Sequence, residues 1–263
     1  MTVQALTWGY HGWGGASAHF VRAVDALERR RGFRPPVFVD LRISRKVRAH
    51  DFQDNTFEGV VGANRYRWMR RLGNARILDK RGKRIQIADP TAAEELLDLI
   101  IDLHRDQRRV ILFCSCREPV LREEDGLPSC HRVTVAALLL KAARRRGIRL
   151  QVTEWPGGEP ATSDLKVGGR ELKAVLRGAA YLPIAPVTGR VPAFASLPWG
   201  SRVSVGHGAD RRVMVTGPAY VRNGQWALEV VEAFEGKGAP ARAERHARRL
   251  LKEGYGPRES VSR

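Results

Sequence analysis

Apolar positions in the first part of the chain come in two textures that alternate. Gln4–Tyr10, Val37–Val39, Arg109–Phe113 and Leu150–Glu154 are short, nearly continuous apolar runs, the signature of strands buried on both faces. Between them apolar residues recur at helical spacing. Phe20, Val21, Val24 and Leu27 follow Ser17, a good N-cap, and stop at Gly32. Leu96, Leu97, Ile100, Ile101 and His104 follow Asp89-Pro90-Thr91, and Val133–Arg146 forms a third helix closed by Gly147. Buried strands alternating with amphipathic helices predict an α/β domain: a mostly parallel sheet with helices on both faces. In such sheets ligands sit at the carboxyl edge of the strands.

Residues 43–90 break the alternation. They show no sustained period and read as a long excursion with short helices around Tyr66–Leu72; long excursions of this kind usually carry function. Beyond Trp155-Pro156-Gly157-Gly158-Glu159-Pro160 the texture changes again. Arg202–Val205, Arg212–Val215 and Trp226–Val231 alternate with period two, and Asn223-Gly224 is a hairpin turn signal. The expected organisation is an α/β domain over residues 1–158, a small C-terminal β domain over 160–235, for which an SH3-like barrel is one closure, and a tail over 239–263 whose charged helix spans Ala239–Glu253.

Charge changes the picture more than composition does. With 263 residues and 43% hydrophobic content the chain can bury a substantial core. No apolar run approaches the roughly 18 residues of a membrane span, and the start lacks a signal-peptide layout. The expectation is a soluble, non-exported, cytoplasmic protein without a membrane partner. A formal charge of +18 is the footprint of a polyanion binder, and nucleic acid, DNA or RNA, is the expected partner. The basic residues are densest over Arg42–Arg84, where Arg65, Arg67, Arg70 and Arg71 surround Trp68, a base-stacking candidate. The competing reading is a solvated surface that serves solubility alone.

Chemistry concentrates in one place. All 3 cysteines lie between Cys114 and Cys130, and Cys130-His131-Arg132 opens a helix, where free N–H groups favour anions. Tyr10 and His11, Asp40 and Arg42, and Cys114 and Cys116 each follow a predicted strand, so one sheet edge collects them. In the catalytic reading Cys114 or Cys130 is nucleophile or ligand and Asp40 is orienter or base. Arg42, His131 and Arg132 then hold an anionic group. A thiol nucleophile needs a depressed pKa, which a helix start or an adjacent arginine supplies. Cys114, Cys116, Cys130 and His131 also form a zinc-type donor set, and inert buried cysteines are the third account. The competing reading of Asp40 and Arg42 is a simple surface ion pair. Walker A, His-Glu-x-x-His and Gly-x-Ser-x-Gly motifs are absent, and the Cys116–Arg122 spacing lacks a glycine-rich phosphate cradle.

Thr7-Trp8-Gly9-Tyr10, Asp40-Leu41-Arg42, Leu72-Gly73, Leu112-Phe113-Cys114 and Cys130-His131-Arg132 together resemble, in order over residues 4–156, the family called domain of unknown function 488. The resemblance implies the α/β fold and the edge site but no reaction. Where that family shows Cys-x-Glu-x-x-Pro, this chain has Cys116 in place of the acid, a shifted Pro119 and a longer loop; Glu118 is the nearest substitute. Two functional classes follow: a nucleic-acid-associated, thiol-dependent or metal-assisted enzyme, or a non-catalytic DNA- or RNA-binding protein with structural cysteines, with or without zinc.

Overall fold

The computed structural model describes residues 2–79, 85–117, 130–165, 181–188, 190–206, 212–222, 224–255 and 257–261. The chain runs β1 (Val3–Gly9), α1 (Ser17–Arg30), β2 (Arg34–Asp40), α2 (Thr56–Val61), β3 (Tyr66–Trp68), α3 (Arg76–Asp79), α4 (Ala92–Arg105), β4 (Arg108–Cys114), α5 (His131–Arg145) and β5 (Leu150–Glu154). It continues through β6 (Thr162–Leu165), β7 (Tyr181–Pro186), β8 (Ser201–Val205), β9 (Arg212–Arg222), β10 (Gln225–Phe234) and α6 (Ala239–Leu250), and ends on β11 (Arg258–Glu259). Two compact units result: Met1–Trp155 with Pro257–Arg263, and Pro156–Gly256. In sequence the second unit is therefore an insertion between β5 and β11.

The first unit is built on a six-stranded sheet of order β11-β5-β1-β4-β2-β3. Its β1–β5 pairings are parallel and β11 joins antiparallel, in accord with the expected mostly parallel sheet. Side chains alternate across each strand and so sort onto two faces. One face is aromatic: Trp8 stacks on Phe20 of α1 at 3.5 Å between centroids, and Phe38, Phe57 and Phe113 close around them. The other face is aliphatic, with Ala5, Val39 and Leu112 packed on Leu96 and Leu97 of α4 and on Val135 and Leu139 of α5. Helices therefore cover both faces, which explains why the strands read as unbroken apolar runs.

Tyr66–Trp68 is a strand, pairing parallel to β2 through Phe38↔Tyr66, where the sequence suggested short helices. Three residues with only Tyr66 buried are too few to display a period. The neighbouring Arg70–Leu72 is a single 3-10 turn.

The second unit carries a five-stranded sheet of order β6-β8-β9-β10-β7, with α6 packed against it. The three anticipated strands are present, and β9 and β10 are longer than their apolar cores. β7 escaped notice because Pro183 and Pro186 interrupt its pattern; prolines are tolerated there because it is an edge strand. Arg258 and Glu259 pair with Val152 and Gln151, so the last described residues belong to the first sheet.

Candidate thiol site at the carboxyl edge of the first sheet

The register Gly9↔Cys114 aligns the ends of β1 and β4, and Cys130 sits immediately before α5. Cys114 occupies the aliphatic-side parity of β4, facing α5, with Cys130 and Val133 around it. The Cys114 and Cys130 sulfurs are 3.1 Å apart, and the Cys116 backbone N–H donates to Cys114 Sγ at 3.4 Å. Cys114 and Cys130 are fully buried; Cys116 is half-buried and Ser115 exposed.

Arg132 organises the cluster. Its Nη1 donates to Cys114 Sγ at 3.3 Å, to Cys130 Sγ at 3.5 Å and to the Cys116 carbonyl at 2.8 Å. Its Nη2 donates to the Arg117 carbonyl at 3.1 Å and to Glu154 Oε1 at 2.9 Å. Thr7 Oγ1 donates to the other Glu154 oxygen at 2.5 Å. Arg132 is wholly buried, so this carboxylate and the sulfurs are what make a guanidinium tolerable there. Gly9 is part of the same design. A Cβ at this position would overlap the Cys116 carbonyl oxygen and stand 2.7 Å from Arg132 Nη1.

The electrostatics divide the three thiols. Burial opposes ionisation of Cys114, yet hydrogen bonds from the Cys116 and Cys130 thiols, then the nearby Arg132 and His131, bring it well below the ordinary thiol value. The hydrogen bond to Cys114 pushes Cys116 up to about 12. Burial and donation to Cys114 hold Cys130 well above its usual value. The cluster thus favours ionisation at Cys114 over Cys116 and Cys130, with the Arg132 guanidinium beside it. Burial also raises Glu154, against the pull of Arg132 and Thr7.

Asp40 and Arg42 form a separate cluster. Asp40 pairs with Phe113 in register and lies on the aromatic face, whereas Cys114 takes the opposite face. Arg42 Nε reaches Asp40 Oδ1 and Oδ2 at 2.8 and 3.0 Å, and Nη2 reaches Oδ2 at 2.5 Å. Tyr66 Oη donates to Asp40 at 2.6 Å, and Arg42 Nη1 donates to the Phe52 carbonyl at 2.6 Å. Tyr10 stacks on Phe52 and stands 3.5 Å from Arg42 Nη1. Burial and then Asp40 raise the Tyr66 hydroxyl, which keeps it a donor. Asp40 is fully buried with these donors on it, so the pair is an interior network that ties β2, β3 and the 3-10 turn His50–Phe52 together rather than a surface ion pair. The two clusters meet through backbone: His131 Nε2 lies 2.9 Å from the Leu41 carbonyl, between Asp40 and Arg42 in the chain.

His11 is exposed in the turn after β1, and Glu118 lies outside the described residues. In the proposed nucleic-acid patch, Arg65 is committed to Asp25 at 2.6 Å and to the Pro36 carbonyl. Arg71 pairs with Asp89 and Glu95, and Arg67 donates to the Ala63 and Tyr66 carbonyls. Arg67, Arg70 and Trp68 are exposed; Trp68 Nε1 donates to the Arg42 carbonyl, with Arg45 over its ring at 4.5 Å. Sequence reasoning missed Glu154, Thr7 and Gly9 as site residues. The available signal was a lone carboxylate ending a buried parallel strand, which needs a partner.

Cys114, Cys130 and His131 offer donor atoms all within 4.8 Å of one another, a set suited to a soft metal ion. Among the described residues no helix is long and apolar enough to cross a membrane. No known family model, curated protein or solved structure matches the chain.

Proposed function

We propose that the protein is a nucleic-acid-associated, thiol-dependent enzyme in which Cys114 acts as the thiolate and Arg132 as its counter-charge. The observation that carries the reading is the Arg132 guanidinium lying 3.3 Å from Cys114 Sγ and 3.5 Å from Cys130 Sγ at the strand ends. A cation fixed beside a sulfur activates it as a nucleophile and offers a donor to the phosphoryl or carbonyl oxygen of the group it attacks. The net charge of +18 supports a polyanionic substrate, nucleic acid or nucleotide, with Arg67, Arg70 and Trp68 as exposed contacts. Asp40 and Arg42 act at a remove, by holding the backbone that His131 touches. The resemblance to the domain of unknown function 488 family and an SH3-like closure of the second sheet belong to the same proposal.

A second reading has one observation in its favour. His131 Nε2 against the Leu41 carbonyl is the outer hydrogen bond that metal-ligating histidines usually make, which leaves Nδ1 for an ion such as zinc. With Cys114 and Cys130, and Cys116 beside them, a tetrahedral donor set is at hand.

The test is site-resolved alkylation at neutral pH, with and without an oligonucleotide. Cys114 is expected to react faster than Cys116 and Cys130, and bound oligonucleotide to slow it. Equal, slow labelling of all three thiols that oligonucleotide leaves unchanged would sink the enzyme reading. Metal stoichiometry on the purified chain decides the second reading directly.

A further inference from the structure

Three sulfurs in one cluster are more than a single nucleophile requires. Cys114 and Cys130 are buried and 3.1 Å apart, one at the end of β4 and the other at the start of α5. A covalent S–S bond is about 2.05 Å, so an approach of roughly one ångström joins them. Cys116 differs from both in being half-buried, yet it packs against them and its backbone N–H donates to Cys114 Sγ at 3.4 Å. The cluster is thus a closed pair with a third thiol on its solvent side.

We infer that Cys114 and Cys130 form a reversible intrachain disulfide, and that Cys116 carries thiol–disulfide exchange to them from solvent. The oxidant is a low-molecular-weight disulfide. The Cys116 thiol passes its proton to the Cys114 sulfur as it attacks one sulfur of that disulfide, which expels a thiolate and leaves a mixed disulfide on Cys116. Cys114 Sγ then attacks the Cys116 sulfur, and the second small thiolate leaves. Cys130 Sγ attacks Cys114 in turn, making the Cys114–Cys130 bond and returning Cys116 as a thiolate. In sum two protein thiols lose two electrons and two protons, and the small disulfide gains them to become two thiols. The reverse sequence, with a small thiol, reduces the pair.

Oxidation alters the surroundings of Arg132. In the reduced cluster its Nη1 serves both sulfurs and the Cys116 carbonyl; in the disulfide neither sulfur carries charge. Arg132 then has Glu154 as its ionic partner, with the Cys116 and Arg117 carbonyls as acceptors. The inference rests on sulfur proximity and not on catalysis, so it stands or falls apart from the proposed enzyme activity.

The experiment equilibrates the purified full chain, in the presence of a chelator, with a series of oxidised-to-reduced glutathione ratios. Acid quenching, blocking of free thiols and peptide mass mapping follow. The expected product links the Cys114 and Cys130 peptides, leaves Cys116 blocked as a free thiol, and reverts with dithiothreitol. Cys116→Ser should leave the equilibrium extent unchanged and slow its approach about tenfold or more, because the half-buried entry thiol is gone. Three blocked thiols at every ratio would overturn the pairing. So would an end product with glutathione held on Cys116 while Cys114 and Cys130 stay unlinked. Undiminished oxidation of Cys116→Ser would overturn the entry role. No oligonucleotide is present, so failure of the alkylation-protection test would not affect this result.

Discussion

Arg132 and Glu154 hold each other in an interior that neither would enter alone. Arg132 is fully buried and Glu154 nearly so, and their contacts at 2.9 and 3.3 Å use the fork geometry of the guanidinium. Removing one partner of such a pair strands the other charge, at a cost of about 3–5 kcal/mol. Glu154→Ala should therefore lower the urea midpoint by that equivalent and also free Arg132 to turn from the sulfurs. Full stability in that variant would mean that Arg132 finds water instead. The Cys114 thiol gives a pH prediction. Its folded-state pKa is depressed, so the native state favours the thiolate, and that stabilisation is present above the unfolded thiol value of about 8.5 and lost as pH falls through the folded value. The rise of Cys114 alkylation with pH should therefore come at lower pH than that of Cys116 and Cys130. A Cys114 profile that rises no earlier than theirs would contradict the lowered value.

At the scale of elements, the carboxyl edge is assembled by strands and completed by a helix start. β1 supplies Thr7 and the bare Gly9, β4 supplies Cys114, β5 supplies Glu154, and α5 returns Arg132 to them. β5 is itself supported from the far end of the chain. Ser260 Oγ donates to the Ile148 carbonyl at 2.8 Å and accepts from the Leu150 N–H at 2.6 Å, beside the β11 pairing. Ser260→Ala leaves the buried Leu150 N–H and the part-buried Ile148 carbonyl short of a partner, which costs about 1–3 kcal/mol. The expected outcome is a lower denaturation midpoint, with the Cys114 to Cys130 spacing unaffected. An unchanged midpoint would show that water replaces the hydroxyl. Truncation after Gly256 should go further, because β5 becomes an open edge and concentration-dependent association follows.

The whole molecule carries its charge on both units, and folding has already used part of it. Arg65, Arg109 and Arg132 are paired inside, with Asp25, Glu28 and Glu154 respectively. Arg71 is paired at the surface. If phosphates neutralise the exposed remainder, affinity for duplex DNA should fall with a log–log salt slope of roughly −0.9 per contact. Arg67→Gln with Arg70→Gln should flatten that slope by up to about two contacts and leave stability within roughly 0.5 kcal/mol, as for other exposed positions. Arg65→Gln should instead cost stability, because its partner Asp25 is also largely buried. Binding that is absent at 50 mM salt, or that ignores salt, would leave the charge without a polyanion role.

Much of this architecture was legible from the residue pattern, because burial on two faces writes itself as continuous apolar strands and one-sided helices. The placing of Cys114, Cys130 and Arg132 together at one edge follows from that pattern, since parallel strands end on the same side. Three matters needed the tertiary structure. Strand parity at β2 and β4 puts Asp40 and Cys114 on opposite faces, a distinction that depends on register and not on where a strand ends. Glu154 and Thr7 join the thiols only because β5 and β4 both flank β1, a neighbour relation between residues far apart in sequence. Tyr66–Trp68, the proline-bearing β7 and the two-residue β11 are strands because a partner edge supplies their hydrogen bonds, and segments that short or interrupted carry no period of their own.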